Sequence, residues 1–342
     1  MSDARVLVVD DSAAMRALFA DILEQTKGVT VVGMAVNADD ARSQLDEVRP
    51  NVITLDVEMP GKSGIEFLQE IMEERPMPVV MLSSHTQSGT ETSLRALELG
   101  AVECFPKPLK VSPEQFTKMA GKLGKIVLAA ANSKVRDRPR ASTGAVSAKP
   151  FAWNGNLVAL SASMGGIDAL TELFAHYPKD CPPTVTVLQA EPALVESFIR
   201  KMDAALPCAV KAVEDGAALE PGTIHIAYDP ARHVVLEPGT PPRLRLLDRE
   251  SVEGARPSAT LLFGTIARAQ LPAVGAVLTG LGKDGARGLK LLRDAGSTTF
   301  AQSPDSAMVS EAPAEAIAQG AAEQALDITP LSEAILDKCN KG

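Results

Sequence analysis

The strongest constraint on the fold is a set of short runs that are apolar at almost every position rather than at every second one. Arg5-Val6-Leu7-Val8-Val9, Asn51-Val52-Ile53-Thr54-Leu55, Pro78-Val79-Val80-Met81-Leu82, Val158-Ala159-Leu160 and Ala273-Val274-Gly275-Ala276-Val277-Leu278 are of this kind. Strands of this composition hide both faces, as in a parallel sheet covered on each side. Between them lie segments with helical spacing, such as Met15, Leu18, Phe19 and Ile22, or Leu170, Leu173 and Phe174. The alternation predicts an α/β chain of doubly wound parallel sheets. At 342 residues it is long enough for two domains, each with its own core.

In an open parallel sheet, functional groups gather at the carboxyl ends of the strands. Here those ends carry Asp10 and Asp11, then Asp56, then Ser83, and finally Lys107 after Glu103-Cys104-Phe105. Carboxylates brought together in one cleft repel each other unless a hard divalent cation such as magnesium sits among them. One of the three is then free to take up a phosphoryl group, with a hydroxyl and an ammonium beside its new oxygens.

Val8-Val9-Asp10-Asp11-Ser12, Leu55-Asp56-Val57-Glu58-Met59-Pro60, Ser83-Ser84 and Lys107-Pro108 resemble the receiver domain of two-component response regulators, a flavodoxin-like fold. The resemblance implies Asp56 as phosphoacceptor, and Asp10, Asp11, Asp56 and the Glu58 backbone carbonyl as ligands of Mg2+. It implies Ser83 as the switch hydroxyl, Lys107 as the phosphate-sensing ammonium, and a histidine kinase as phosphodonor. One position departs from the pattern: Cys104 stands where receivers usually carry an aromatic residue.

A receiver over residues 1–125 is expected to lead through a flexible connector, 126–153, into a second domain, 154–342. Ser133 to Lys149 has the Ser, Arg, Lys, Pro, Ala and Gly composition of such a connector. In the second half, Val158 to Gly166 reads as a strand turning into a helix through Ser163-Met164-Gly165-Gly166. Such a turn presents a hydroxyl beside free backbone N–H groups, which makes Ser163 the candidate nucleophile. Asp284, in the glycine-rich turn Gly280 to Gly285 after a buried strand, is placed to join it. Thr184 to Gln189 reads as a strand, and Thr223 to Ala227 with His233 to Leu236 as a hairpin.

The serine turn, Thr279-Gly280-Leu281-Gly282-Lys283-Asp284-Gly285, Val213 to Gly216, Pro221 to Ile224, His233, Pro257-Ser258, Leu261 to Phe263 and Phe300-Ala301-Gln302 are similar to the CheB chemotaxis methylesterases. The resemblance covers nearly the whole chain and implies a Rossmann-like second domain. It further implies hydrolysis of methyl esters, and often amides, of glutamyl side chains on methyl-accepting chemoreceptors. The family uses a serine, a histidine and an aspartate, matched here by Ser163 and Asp284. The histidine of Gln-His-Met-Pro is Ala190 in Gln189-Ala190-Glu191-Pro192.

A serine without a base is a poor nucleophile. Glu191 points to the other side of the strand end and is not expected to replace the imidazole. Met164, Ala259-Thr260, Ser303 and Glu311 also depart from the family pattern. The expected function is therefore that of a chemotaxis response regulator phosphorylated on Asp56, with a degenerate effector domain that acts by binding. The alternative is an active methylesterase/glutaminase with Ser163 as nucleophile.

Other features bound the function. The net charge of -9 disfavours a nucleic-acid partner. Cys104, Cys181, Cys208 and Cys339 show no metal-ligand spacing. No segment has the length and apolarity of a membrane span, and the first residues show no cleavage-site pattern, so a cytoplasmic protein is expected.

Overall fold

A computed structural model describes residues 3–83, 87–107, 113–135 and 151–341. Ser84, His85, Thr86, Pro108 and most of the expected connector lie outside the described residues. The chain divides into two compact units, Met1–Arg138 and Pro139–Gly342.

In the first unit, β1 (Ala4–Val9), α1 (Ala13–Glu24), β2 (Val29–Ala35), α2 (Ala38–Val48), β3 (Val52–Asp56), α3 (Gly64–Glu74), β4 (Val79–Ser83), α4 (Gln87–Leu99), β5 (Glu103–Pro106) and α5 (Pro113–Ala131) follow one another. The sheet is parallel in the order β2-β1-β3-β4-β5. Strands β3 and β4 are buried at every position, as their unbroken apolar character requires. Helix starts are written locally: the Ser12 hydroxyl caps α1, Asn37 caps α2, and Ser63 with Glu66 forms a reciprocal capping box on α3. Helix α5 runs to Ala131 because Ile126, Val127 and Ala130 continue its buried face. Six residues of the expected connector are therefore helical.

The second unit contains β6 (Leu157–Ala162), α6 (Gly166–Phe174), β7 (Thr184–Leu188), α7 (Pro192–Ala205), β8 (Ala209–Ala212), β9 (Thr223–Ala227), β10 (His233–Glu237), β11 (Arg243–Leu247), α8 (Ala259–Arg268), β12 (Ala273–Val277), α9 (Ala286–Asp294), β13 (Thr298–Gln302), α10 (Glu311–Ala318), β14 (Gln324–Leu326) and α11 (Ile328–Cys339). Seven strands form a parallel sheet in the order β14-β13-β12-β6-β7-β9-β8. Chain order reverses between β6 and β12, which puts the loops after these two strands at the switch point.

The hairpin expected from 223–227 and 233–236 does not form. Four of the five β9 residues are buried, so this strand lies inside the sheet between β7 and β8. β10 instead pairs antiparallel with β11, whose first three residues alternate exposed, buried, exposed.

The segment entering this unit is tied to the end of its last helix. Asn154 and Asn156 both donate through Nδ2 to the Lys338 carbonyl, at 2.9 and 2.7 Å. Ala152 N–H donates to Asn340 Oδ1, and Lys341 N–H to the Ala152 carbonyl.

His225, on β9, is 5% exposed, and among the described residues neither ring nitrogen has a hydrogen-bond partner of good geometry. Burial holds its pKa below the ordinary 6.5. The unfolded chain therefore binds this proton more readily than the folded one. Stability from this group is complete above pH 6.5 and is lost as pH falls through that value toward the depressed pKa. Thermal midpoints of His225→Leu should fall less than those of the parent between neutral and mildly acidic pH; equal losses would show that this imidazole does not contribute.

Candidate functional site

Two sets of groups stand at the carboxyl ends of the sheets. In the first unit, Asp10 follows β1, Asp56 closes β3, Ser83 closes β4 and Lys107 follows β5. Lys107 Nζ lies 2.6 Å from Asp56 Oδ2 and 2.9 Å from Asp10 Oδ2. Asp56 Oδ1 accepts from the Glu58 N–H at 3.1 Å, and Asp10 Oδ1 from the Ser12 N–H at 2.9 Å. Burial raises the Asp56 pKa although Lys107 opposes the shift. Burial would lower that of Lys107, but bonds to Asp56 and Asp10 outweigh it and hold the ammonium charged.

Gly64 makes room for this loop. A Cβ there would fall 1.9 Å from the Asp56 carbonyl oxygen. Ser83 is buried, and its carbonyl accepts from the Lys107 N–H at 2.8 Å, which fixes the two strand ends relative to each other. Cys104 is buried too, and its thiol donates to the Ser93 carbonyl on α4 at 3.3 Å.

The donor set suits a hard cation. One oxygen from each of Asp10, Asp11 and Asp56 lies within 4.8 Å of the others. Asp10 Oδ2 is buried, and among the described residues it is paired only with the Lys107 ammonium at 2.9 Å. An oxygen in that state keeps a lone pair for a metal.

In the second unit, Ser163 follows β6 and is held by the loop after β12. Its N–H donates to the Thr279 carbonyl at 3.1 Å, and its Oγ accepts from the Leu281 N–H at 3.0 Å. Gly280 permits this closeness, since a Cβ there would meet Ser163 Oγ at 2.2 Å. Gly165, at φ +75°, makes the turn into α6. Among the described residues, nothing accepts the Ser163 proton.

Asp284 lies in the same loop but serves other partners. Its Oδ1 accepts from Ser258 Oγ at 2.7 Å and Thr260 N–H at 3.0 Å; its Oδ2 accepts from Ala259 N–H at 2.7 Å and Gln189 Nε2 at 2.8 Å. A carboxylate has about four acceptor sites, and all are filled. Two of the donors are N–H groups in the first turn of α8, where a negative charge is favoured. Gln189 Nε2 also reaches the Pro257 carbonyl at 2.9 Å, which anchors the strand end just before Ala190.

His233 is committed elsewhere. His233 Nδ1 accepts from the Ser258 N–H at 3.2 Å, so its Nε2 donates to the Glu250 carbonyl at 2.9 Å. Other departures from the family pattern are absorbed locally: Met164 is buried, Thr260 Oγ1 accepts from the Gly285 N–H at 2.8 Å, and Glu311 opens α10. The partners of Asp284 and the Leu281 donor were not legible from spacing. The glycine at position 280 is the one sequence signal that could have marked the close approach.

The receiver-domain family matches residues 6–120, and the family described as CheB methylesterase matches residues 158–335. A protein-glutamate methylesterase/protein-glutamine glutaminase 1 of Caulobacter vibrioides is 40% identical over 339 residues, covering 98% of both chains. The chain belongs to the CheB family. A protein-glutamate methylesterase/protein-glutamine glutaminase of Agrobacterium fabrum is also 40% identical, over 97% of this chain and 96% of its own. Among solved structures, the CheB methylesterase catalytic domain of Thermotoga maritima is 25% identical with a TM-score of 0.51, covering 54% of this chain and 98% of its own. This CheB chain is thus a chemotaxis-type response regulator with a methylesterase domain. The names of its relatives support the methylesterase/glutaminase alternative over a degenerate domain that only binds. Among the described residues no helix is long and apolar enough to cross a membrane.

Proposed function

We propose that this CheB protein is a phosphorylation-controlled methylesterase/glutaminase acting on glutamyl side chains of chemoreceptors, with Ser163 as nucleophile. The observation that carries the reading is the Ser163 turn: the hydroxyl is fixed at the switch point by Leu281, over a glycine that leaves room for nothing else. The activity named for relatives that match the chain along its length agrees with it.

One observation favours a second reading, in which the domain grips the same side chains without hydrolysing them. Position 190 is alanine, and the four acceptor sites of Asp284 are occupied without an imidazole. Loss of the base costs about a millionfold in a serine protease, and leaves about a thousand- to ten-thousandfold over water from the oxyanion site and binding. Methanol release from a methylated receptor fragment by the phosphorylated protein separates the readings. Slow release abolished by Ser163→Ala supports hydrolysis; release indifferent to that change supports binding alone.

The receiver is the control element, with a histidine kinase as phosphodonor. Asp56 is the phosphoacceptor, Lys107 pairs with the new phosphoryl oxygens, and the Ser83 hydroxyl reports them. Asp10, Asp11, Asp56 and the Glu58 carbonyl would hold Mg2+, which when bound offsets the charge of the incoming phosphoryl group. Acetyl phosphate with magnesium is expected to label the parent protein, and Asp56→Asn to lose the label completely. Persistent labelling would move the phosphoacceptor elsewhere.

A further inference from the structure

Beyond the carboxyl ends of β9 and β8, two and three strands from β6, the second unit has a cleft of about 290 Å3. Its floor is apolar, built by Val213, Ile226, Val234 and Leu246. Pro192, two residues after Ala190, forms one wall. The rim is polar and carries Glu196, Tyr228, Asp229 and Arg232.

The rim charges do not cancel. Arg232 Nε pairs with Asp229 Oδ2 at 2.6 Å, which leaves Glu196. Among the described residues its carboxylate accepts one hydrogen bond, from the Tyr228 hydroxyl at 3.3 Å, and has no cation beside it. The volume is at the low end for ligand pockets and suits a single long side chain. An apolar side chain seated here would strip water from Glu196 without replacing it, and an anion would meet an uncompensated negative charge. A side chain with an apolar stem and a cationic head satisfies both parts of the cleft.

We propose that this cleft receives a lysine or arginine side chain of the polypeptide presented to Ser163. The methylene stem lies on Val213, Ile226, Val234 and Leu246, and the charged head meets Glu196. The cleft then selects which glutamyl sites are engaged by the residue that accompanies them. This rests on the reading that the domain acts on a receptor polypeptide, whether or not it hydrolyses it.

The test is methyl NMR on the full-length protein, titrated with N-acetyl-arginine methylamide and, as the uncharged counterpart, N-acetyl-norleucine methylamide. The arginine compound is expected to shift the Val213, Ile226, Val234 and Leu246 methyls saturably. Glu196→Gln, an exposed change outside the Ser163 site, should weaken it about two- to fivefold. Ser163→Ala should bind it unchanged, so failure of hydrolysis and failure of this cleft are separate results. Equal binding of the norleucine compound, undiminished binding by Glu196→Gln, or no shift at these methyls would each overturn the proposal.

Discussion

Ala190→His is expected to raise Ser163-dependent methanol release by about 10²- to 10⁴-fold, the range that a positioned general base supplies. As the chain stands, Ser163 Oγ receives a hydrogen bond from Leu281 and, among the described residues, has no acceptor for its own proton. An imidazole at the end of β7 supplies one, and the gain should titrate in with loss of the imidazolium proton. The rate should still fall short of a family member with an intact triad. Asp284 has no acceptor site left to fix the tautomer of the new ring unless Gln189 withdraws, and Met164 and Glu311 also differ. Full recovery would show the rest of the cleft to be intact, and an unchanged rate would show that residue 190 does not reach Ser163.

Asp284→Ala is expected to cost about 3–5 kcal/mol of stability in the C-terminal unit, because it strands four donors in a buried site. Ser258, Gln189 and two N–H groups of α8 all lose their acceptor. Such a loss is a large part of the total stability of an ordinary domain. Trp153 is the single tryptophan of the chain and belongs to this unit, so the urea midpoint of its fluorescence reads the effect without the receiver. Asp284→Asn keeps one acceptor oxygen and should lie between parent and alanine. An unchanged midpoint for Asp284→Ala would remove the structural role assigned here. Loss of turnover in these variants is evidence on catalysis only after that midpoint is known.

The sheets and the receiver pocket were legible because their signals are local. Unbroken apolar runs mark β1, β3, β4, β6 and β12, and the polar residues of the receiver pocket sit at the strand ends in the chain itself. The place of Ser163 at a strand-to-helix turn also follows from one short stretch. What could not be read depends on distant pairing. The β9 strand looks like half of a hairpin until β8, a four-residue strand with one buried position, is placed beside it. The occupancy of Asp284 is of the same kind: its donors come from positions 189 and 258–260, and no spacing rule joins them. Ala190 was legible as a missing imidazole, yet the sequence could not show that the carboxylate beside it already had other work.

The entry segment and the final helix of the C-terminal unit meet at one seam, through Asn154, Asn156 and Asn340. A folded body whose two ends share a seam is a plug-in cassette: residues 151–341 can be grafted into a surface loop of an unrelated host with short joints on both sides. An affinity tag appended after Lys341 would crowd the doorway through which the chain enters, so the opposite face of the sheet is the better place for a label.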